Sequence, residues 1–371
     1  MKKWRPLALL SALCLTVGVS ACGETAEEPE EAHIFITAPI ETVYPYAEPA
    51  KEYLLATRGE DVGRYLTGIK DSAQDIVIEW ECSLTNVSGY RVEYYSKADK
   101  SDLKRVEVSA EETSLAVRNL YKGATYQVSV DVLVDGKVKE RAKSEFQTTD
   151  LGPRVMSVDG IYNVRDLGGY TTESGKTSTQ GLIYRGGALT PYGPYDSNLS
   201  AEGKVTLAQE MRIKTELDLR GYGQESGYLT ESPIPDATLE YITVSGYASA
   251  FSMKDSFKEV FSFFADIDNY PIYMHCTGGA DRTGTVAFLL NALIGVSETD
   301  LIHDYEFTSF SVYGQRNSID GTEYGGMFQA FYTRLKSFEG ETLSEKTESY
   351  MLSIGVTQEE IDSIRAIMLG E

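Results

Sequence analysis

The chain has 371 residues, a length that accommodates two or three domains of ordinary size. Hydrophobic residues make up 42% and charged residues 24% of the sequence, which is typical of a globular protein and excludes a disordered or fibrous chain. The 56 acidic and 34 basic residues give a net charge of −22, which argues against nucleic-acid binding through a basic surface. With 4 Cys, the sequence lacks the cysteine content of a disulfide-stabilised small fold.

The N-terminal segment has the composition of an export signal. Basic residues at the start precede an apolar run from Leu7 to Val19, and small residues then lead to Cys22. This three-part pattern resembles the bacterial lipoprotein signal, in which cleavage precedes the Cys and its sulfur is acylated. We therefore expect residues 1–21 to be a signal peptide and Cys22 to be the lipidation site. The alternative is a plain secretory signal with an incidental Cys.

The lipoprotein interpretation predicts where the mature protein resides. Lipid on Cys22 would anchor it to the bacterial cell membrane, facing outside the cytoplasm. The Glu-rich residues 22–32 show no apolar periodicity and are predicted to form a solvated tether. The apolar stretch from Val286 to Val296 is too short to span a bilayer and is predicted to be a buried helix.

Residues from about 70 to 149 alternate between apolar and polar positions, as half-buried strands do. The alternation is clear at Ile76, Ile78 and Trp80, and Asp135-Gly136 is a two-residue hairpin signal. Short strands separated by turn signals predict an antiparallel β-sandwich.

The positions of Trp80, Leu120 and Tyr126 resemble those of a fibronectin type III domain, in which that Tyr lies at a strand corner. We therefore predict a fibronectin III-like sandwich domain over residues 33–150. Within it, several Pro interrupt residues 33–69, which are expected to be strands or loops packed on the sandwich. A sandwich in this position could serve as a spacer or bind a cell-surface ligand.

After Gly152-Pro153 the pattern changes to alternating strands and helices, which predicts an α/β domain. The predicted strands are Leu182–Tyr184, Glu216–Leu219, Leu239–Val244 and Ile272–His275. The predicted helices are Ser200–Arg212, Ser256–Ala265, Arg282–Ile294, Ser297–Ser309, Tyr324–Ser337 and Gln358–Met368.

The segment after the strand that ends at His275 is predicted to form an anion-binding loop. Gly278 and Gly279 can adopt positive φ, which allows successive backbone N–H groups to point inward. The helix that begins near Arg282 directs its N-terminal dipole to the same point, and Arg282 can offer two parallel donors to a phosphate. In such a field the thiol of Cys276 is expected to ionise and become a nucleophile without a His base.

The motif His-Cys-x5-Arg-Thr-Gly at residues 275–284 is similar to the signature of the protein-tyrosine phosphatase superfamily. Four further segments occur in the order that they have in the bacterial tyrosine/serine phosphatase branch of that superfamily. Together the motifs cover residues 154–371. The matching segments are Gly160–Gly169, Ile183–Gly186, Leu217–Arg220 and Asp304–Thr308. The resemblance implies a domain with a mostly parallel central sheet.

The resemblance also implies roles for individual residues. Cys276 would attack phosphorus and form a phosphocysteine intermediate, Arg282 would clamp the equatorial oxygens, and Thr283 would donate to the thiolate. The substrate phosphate would be bound by the loop residues between them, which are Thr277, Gly278, Gly279 and Ala280. This chemistry requires no metal or other cofactor.

Two residues are candidates for the general acid, which protonates the leaving oxygen. Asp281 precedes Arg282 and lies next to the bound phosphate by spacing alone, which favours it; it could also orient the catalytic water. Asp218, at the end of a predicted strand, is the other candidate.

The substrate is predicted to be a phosphorylated protein or a small phosphomonoester. In a protein, phosphotyrosine is the expected target, and activity on phosphoserine and phosphothreonine as well is left open. The first alternative is a phosphoinositide or an inositol phosphate. Many relatives have Lys where this chain has Ala280, and the lack of that Lys disfavours such a polyanionic substrate. The second alternative is a non-catalytic surface protein that binds phosphorylated ligands. The presence of Cys276, Asp281 and Arg282 argues against it, because a binding protein has no need of a thiolate.

Overall fold

The computed structural model of the protein describes residues 32–56, 60–66, 68, 71–195, 197–319 and 321–371. The predicted signal peptide, Cys22 and nearly all of the predicted tether lie outside the described residues. The strands are β1 (Ile34–Ala38), β2 (Thr42–Val43), β3 (Ile76–Cys82), β4 (Gly89–Ser96), β5 (Asp99–Val108), β6 (Ser114–Val117), β7 (Thr125–Val134), β8 (Lys137–Thr148), β9 (Arg154–Val155), β10 (Arg165–Asp166), β11 (Ile183–Gly186), β12 (Thr215–Asp218), β13 (Thr238–Tyr241) and β14 (Ile272–His275). The helices are α1 (Glu48–Leu55), α2 (Ala201–Val205), α3 (Lys254–Phe264), α4 (Arg282–Leu293), α5 (Glu298–Phe307), α6 (Glu323–Lys336), α7 (Leu343–Ser353) and α8 (Gln358–Leu369).

The first domain is the predicted β-sandwich. One sheet has the strand order β1-β3-β6 and the other the order β2-β8-β7-β4-β5. The alternation in β3 places Ile76, Ile78 and Trp80 in the core between the sheets. The hydroxyl of Tyr126 accepts a hydrogen bond at 2.8 Å from the backbone N–H of Tyr121, which fixes the corner that leads into β7.

The expectation for residues 33–69 is only partly correct. β1 and β2 join the sandwich sheets, but α1 and the short 3-10 helix Val62–Tyr65 pack against the second domain. Tyr46, Tyr53 and Val62 share an apolar cluster with Phe307 and Phe310. A Pro breaks a helix only in its interior; Pro49 lies in the first turn of α1, where its missing N–H has no helical partner to lose.

The second domain is built on a six-stranded sheet with the order β13-β12-β14-β11-β10-β9. β11, β14, β12 and β13 run parallel, whereas β10 pairs antiparallel with both β11 and β9. This confirms the expected mostly parallel sheet. Because the carboxyl ends of parallel strands meet at one edge, the residues that follow β11, β12 and β14 are brought together there.

The predicted helices of this domain are present, with small differences at their ends. The one predicted at 200–212 divides into α2 and a π-helical turn, Thr206–Glu210. α7 is absent from the prediction, although Thr342 and Glu345 form a capping box that marks its first turn.

Helix α4 forms the centre of the larger core. Every residue from Thr283 to Leu293 is buried, between the sheet and the surrounding helices. A helix that is apolar on all sides is stable only when it is covered on all sides. In the part of the chain that the structure describes, no helix has the length and apolar character needed to cross a membrane.

Arg154, at the start of β9, joins the two domains. Its guanidinium donates to the carbonyl oxygens of Asn119 at 2.8 Å and Leu120 at 3.0 Å in the sandwich. It also pairs with Asp166 of β10 at 2.8 Å. Because an unpaired buried cation is costly, these contacts favour the arrangement in which the two domains meet.

Candidate active site

The predicted nucleophile lies at the carboxyl edge of the sheet. Cys276 directly follows β14 and is 3% exposed, and Arg282 is the first residue of α4. The intervening turn requires glycine at position 279, where φ is +63°. A Cβ there would lie 2.1 Å from the carbonyl oxygen of Gly186, so no other residue fits without displacing β11. We call residues 276–282 the catalytic loop.

Buried donors hold the carbonyl groups of the catalytic loop. The side-chain amide of Asn163 donates to the oxygen of Gly278 at 2.8 Å, and Arg185 donates to the oxygen of Gly279 at 2.6 Å. Carbonyls held in this way leave the loop N–H groups to face the opposite side, where an anion can bind. Asn163 therefore supports the loop from beneath.

A cationic cluster lies under the loop. Asp304 accepts hydrogen bonds from Arg165 at 2.9 Å and from Arg185 at 2.5 Å, and all three residues are buried. Burial raises the pKa of Asp304, but the two guanidinium groups outweigh it and hold that pKa below its usual range. Two cations facing one carboxylate leave a net positive charge beneath Cys276.

The surroundings of Cys276 favour the thiolate. Burial raises the pKa of its thiol, but the charge of Arg282 and the neighbouring hydroxyl and backbone N–H of Thr283 outweigh that effect and hold the pKa below its ordinary value. His275 lies beneath, fully buried, with Nε2 2.8 Å from the Glu216 carboxylate and Nδ1 3.1 Å from the Cys276 carbonyl oxygen. It is placed to support the loop and has no access to substrate.

Glu225 is a site residue that sequence analysis missed. Its carboxylate accepts hydrogen bonds from Arg282 Nη2 and from the hydroxyl of Thr277, and Arg282 Nη1 lies 3.1 Å from its Oε2. Burial raises the pKa of Glu225, but the bonds from Arg282 and Thr277 bring it below the usual value. Glu225 lies in a Gly-rich segment after β12 with no periodicity to mark it, and only the fold brings it to the loop.

Asp281 is ionised and held by two partners. Arg316 donates to its two oxygens at 2.7 and 2.9 Å, and the Tyr247 hydroxyl donates at 2.5 Å. Burial raises the pKa of Asp281, but the hydrogen bonds and charge of Arg316 outweigh it and lower that pKa. The side chain remains 36% exposed and can therefore be reached by substrate. Arg316, like Glu225, has no sequence signal.

Asp218 is less accessible. It pairs in register with His275 across β12 and β14, next to the catalytic loop, but only 1% of its side chain is exposed. Arg220 donates to both of its oxygens, through Nε at 2.9 Å and Nη2 at 2.7 Å. Burial raises its pKa, whereas the charges of His275 and Arg220 lower it to below the usual value.

Tyrosine side chains border the loop on the side of Gly278. A Cβ on Gly278 would lie 2.9 Å from the ring of Tyr313, which shows how closely that ring covers the loop. The ring of Tyr195 packs edge-on against Tyr313 with centroids 4.7 Å apart. Ala280 and Thr283, also predicted as site residues, are buried in the loop and the first turn of α4.

The chain is similar in sequence to curated tyrosine phosphatases. It is 29% identical over 136 residues to "Tyrosine-protein phosphatase" of Nostoc commune, covering 31% of this chain and 44% of that protein. It is 25% identical over 179 residues to a Cupriavidus necator protein named "Putative tyrosine-protein phosphatase", covering 42% of this chain and 63% of that protein. The chain thus spans about half to three fifths of the length of these relatives.

Two of the solved structures with local similarity are β-sandwich proteins. A fibronectin type III domain of human contactin 1 is 26% identical, with 22% of this chain and 72% of that chain covered and a TM-score of 0.19. A redesigned β-sandwich protein is 24% identical, with 22% and 82% covered and a TM-score of 0.20. Scores this low do not by themselves establish a fold.

Family models match both domains. The model of the fibronectin type III domain matches residues 64–147, in agreement with the sandwich. The model described as the tyrosine phosphatase family matches residues 156–370, more than half of the chain and the whole region in which β14, the catalytic loop and α4 lie. The protein therefore belongs to the tyrosine phosphatase family.

Proposed function

We propose that the domain at residues 154–371 hydrolyses phosphomonoesters, with phosphotyrosine in a protein as the favoured substrate and Cys276 as the nucleophile. The observation that carries the proposal is geometric: Cys276 directly follows β14, and Arg282 lies in the first turn of the helix after the loop, where its charge lowers the pKa of the thiol. The same positive field that ionises the sulfur binds the phosphate, so nucleophile and electrophile are held together.

The reaction proceeds in two displacements at phosphorus. In the first, the Cys276 sulfur forms a bond to phosphorus as the bond to the ester oxygen breaks, and that oxygen takes a proton from the general acid. This leaves a phosphocysteine. In the second, water attacks phosphorus as the bond from phosphorus to the Cys276 sulfur breaks; the water proton goes to the carboxylate of the general acid, and thiolate and inorganic phosphate are released. The Thr283 hydroxyl stabilises the departing thiolate. Arg282 and the loop N–H groups bind the equatorial oxygens in both steps.

Asp281 is the better candidate for the general acid. Its carboxylate is exposed enough to meet a substrate oxygen, whereas that of Asp218 is enclosed by its pair with Arg220. Because Arg316 keeps Asp281 ionised in the free protein, protonation is favoured when the phosphate dianion arrives beside it and repels its charge. Asp218 then serves to orient Arg220 and the end of β12.

Phosphotyrosine is favoured over a phosphoinositide for two reasons. Ala280 contributes no cation to the loop, and the net charge of −22 repels polyanions at long range. Tyr313 borders the loop, and its ring, backed by that of Tyr195, can pack against an aryl ester.

A substrate comparison tests the proposal. Wild type, Cys276→Ser and Cys82→Ser are assayed with an aryl phosphate, phosphotyrosine peptides, phosphoinositides and inositol phosphates. Cys82, the other free cysteine of the described residues, lies in the sandwich and is the matched control. We expect turnover in wild type and Cys82→Ser, inhibited by vanadate, and none in Cys276→Ser. Equal background rates in all three would leave a phospholigand-binding protein, and a preference for inositol lipids would overturn the substrate assignment.

We further propose that the protein is a lipoprotein, acylated on Cys22 after removal of residues 1–21 and exposed outside the cytoplasm. The support is the order of charge, apolar run and small residues before Cys22. The sandwich would then separate the phosphatase domain from the membrane or bind a surface ligand. Metabolic labelling with a fatty acid tests this: label in wild type and its loss in Cys22→Ala are expected, and label in both or in neither contradicts it.

A further inference from the structure

A single loop connects the catalytic loop to the N-terminal part of the chain. Residues 311–319, here called the support loop, follow α5 and carry both Tyr313, which covers Gly278, and Arg316, which binds Asp281. On its other side, residues 60–66 contact the support loop, and residues 44–56 pack on residues 306–310 directly before it. We call residues 44–56 and 60–66 the strap; both segments precede the sandwich strands β3 to β8 in sequence.

Arg316 is held rigidly. Its backbone N–H donates to the Ser309 hydroxyl at 2.8 Å, and that hydroxyl donates to the Arg316 carbonyl at 2.8 Å. Its guanidinium lies 3.8 Å from the ring centroid of Tyr324, and the side chain is 7% exposed. A planar guanidinium that binds both oxygens of a carboxylate permits one orientation of that carboxylate. The position of Asp281 is therefore set by the position of the support loop.

The strap is linked to the support loop at three points, the first of them through Glu306 of α5. The Tyr53 hydroxyl donates to the carboxylate of Glu306, which in turn accepts the backbone N–H of Ser318 at 2.6 Å. The side-chain amide of Asn317, the neighbour of Arg316, donates to the carboxylate of Asp61. Gly63 lies so close to Gln315 that a Cβ there would be 2.8 Å from its amide nitrogen.

Apolar packing supports these polar contacts. The ring of Tyr53 lies 5.6 Å from that of Phe310, and the ring of Tyr46 lies 5.6 Å from that of Phe307. The strap thus buries its aromatic face on the end of α5, directly before the support loop. Because the strap contacts both the support loop and the end of α5 directly before it, a displaced strap would release the segment that carries Arg316.

We propose that Arg316 is a positioning residue for Asp281, and that the strap holds Arg316 in place through Tyr53 and Asp61. The catalytic unit would then include the strap, which lies between β2 and β3 and outside the region from 156 onward that the family model matches. The inference rests on the proposed phosphatase function for its kinetic consequences. The titratable and charged groups that face Asp281 are Tyr247, Arg282, Arg316 and, at longer range, Cys276 and Tyr305.

The expected effect has a defined direction. Removing the Arg316 cation raises the pKa of Asp281, because the ion pair lowers it in the native protein. A general acid must be protonated to act, so kcat falls as pH rises through the pKa of Asp281. When the substitution raises that pKa, the basic limb of kcat moves to higher pH. Arg316→Met should move it by ~1 unit or more, the size of shift that one close opposite charge produces. Arg316→Lys keeps the positive charge but loses the two parallel donors to the Asp281 oxygens. It should lower kcat and move the basic limb by less than Arg316→Met does.

The strap is tested by a matched pair of variants. Tyr53→Phe removes the hydroxyl that binds Glu306, whereas Tyr46→Phe removes one that binds the Leu151 and Pro153 carbonyls in the interdomain linker. Both residues are buried in the same cluster. With a phosphotyrosine peptide, Tyr53→Phe and Asp61→Asn should move the basic limb upward, and Tyr46→Phe should not. In the Arg316→Met background, Tyr53→Phe should have no further effect.

Three results would overturn the proposal. The first is a basic limb of kcat that stays at the same pH in Arg316→Met, and the second is a limb that moves equally in Tyr53→Phe and Tyr46→Phe. The third is a double variant, Arg316→Met with Tyr53→Phe, in which the two shifts of the limb add. The rate of Cys276 alkylation reports the pKa of the thiol and requires no turnover. It therefore distinguishes failure of this proposal from failure of the proposed phosphatase function. Loss of the Arg316 cation leaves the charge of Asp281 less compensated, so the Cys276 pKa should rise in Arg316→Met and Tyr53→Phe but not in Tyr46→Phe. Mass spectrometry of the Cys276 peptide after iodoacetamide treatment across pH measures it.

Discussion

Glu225 and Arg282 meet at the entrance of the catalytic loop, where one carboxylate accepts hydrogen bonds from both terminal nitrogens of the guanidinium. The same carboxylate accepts the hydroxyl of Thr277. The plane of the guanidinium is therefore set before substrate arrives, and reorientation during the reaction is avoided.

Replacement of Glu225 should impair catalysis more than binding. Glu225→Gln removes the charge that fixes Arg282, and a misdirected guanidinium is expected to lower kcat ~10-fold or more. KM should not rise, because a partly exposed negative charge near the incoming phosphate is also removed. Steady-state kinetics with an aryl phosphate measure both constants. Glu231→Gln, an exposed change on the same segment, is the control, and an unchanged kcat in Glu225→Gln contradicts the assigned role.

The acidity of Cys276 should depend on Thr283. Because the buried hydroxyl of Thr283 lowers the pKa of the neighbouring thiol, Thr283→Ala should move the acid limb of kcat/KM to higher pH. The sign follows from the thiolate being the reactive form: activity rises as pH passes through the thiol pKa. Thr347→Ala removes an equally buried hydroxyl, in α7, and should leave the limb in place. Identical pH profiles for the two variants would exclude this role.

Asp281→Asn and Asp218→Asn should fail in different ways. Asp281→Asn should lose most activity toward a poor leaving group and retain more toward a good one, since only the former needs a proton. Asp218→Asn leaves Arg220 buried without its anion and should destabilise the fold by ~3–5 kcal/mol. Kinetics with two leaving groups and urea unfolding separate the two effects. The reverse pattern would assign the acid to Asp218.

Gly279 should tolerate no side chain. Gly279→Ala would place a Cβ against β11 and should abolish activity, because the loop must open to relieve a 2.1 Å contact. Gly175→Ala is the control: its φ is +80°, but nothing lies within 4 Å of the added Cβ. It should cost only ~1–2 kcal/mol of backbone strain and leave kcat unchanged. Comparable losses of activity would mean that backbone strain, and not the close contact, governs position 279.

Much of the fold follows from periodicity. The alternation at Ile76, Ile78 and Trp80 predicts β3 and its buried face, and the apolar run after Arg282 predicts α4. α1 is different, since it is a short helix with Pro49 in its first turn and only three buried residues. It is stabilised by packing on the second domain, and no local pattern carries that information.

The sequence by itself predicted most of the architecture and the residues of the proposed catalytic loop, because strand and helix periods are local and Cys276, Gly279 and Arg282 lie within seven consecutive residues. Only the tertiary structure decided what surrounds that loop. Glu225 and Arg316 reach it from segments far apart in sequence, and their charges act through distance in space. The ionisation of Asp281 and the orientation of Arg282 are therefore properties of the folded chain.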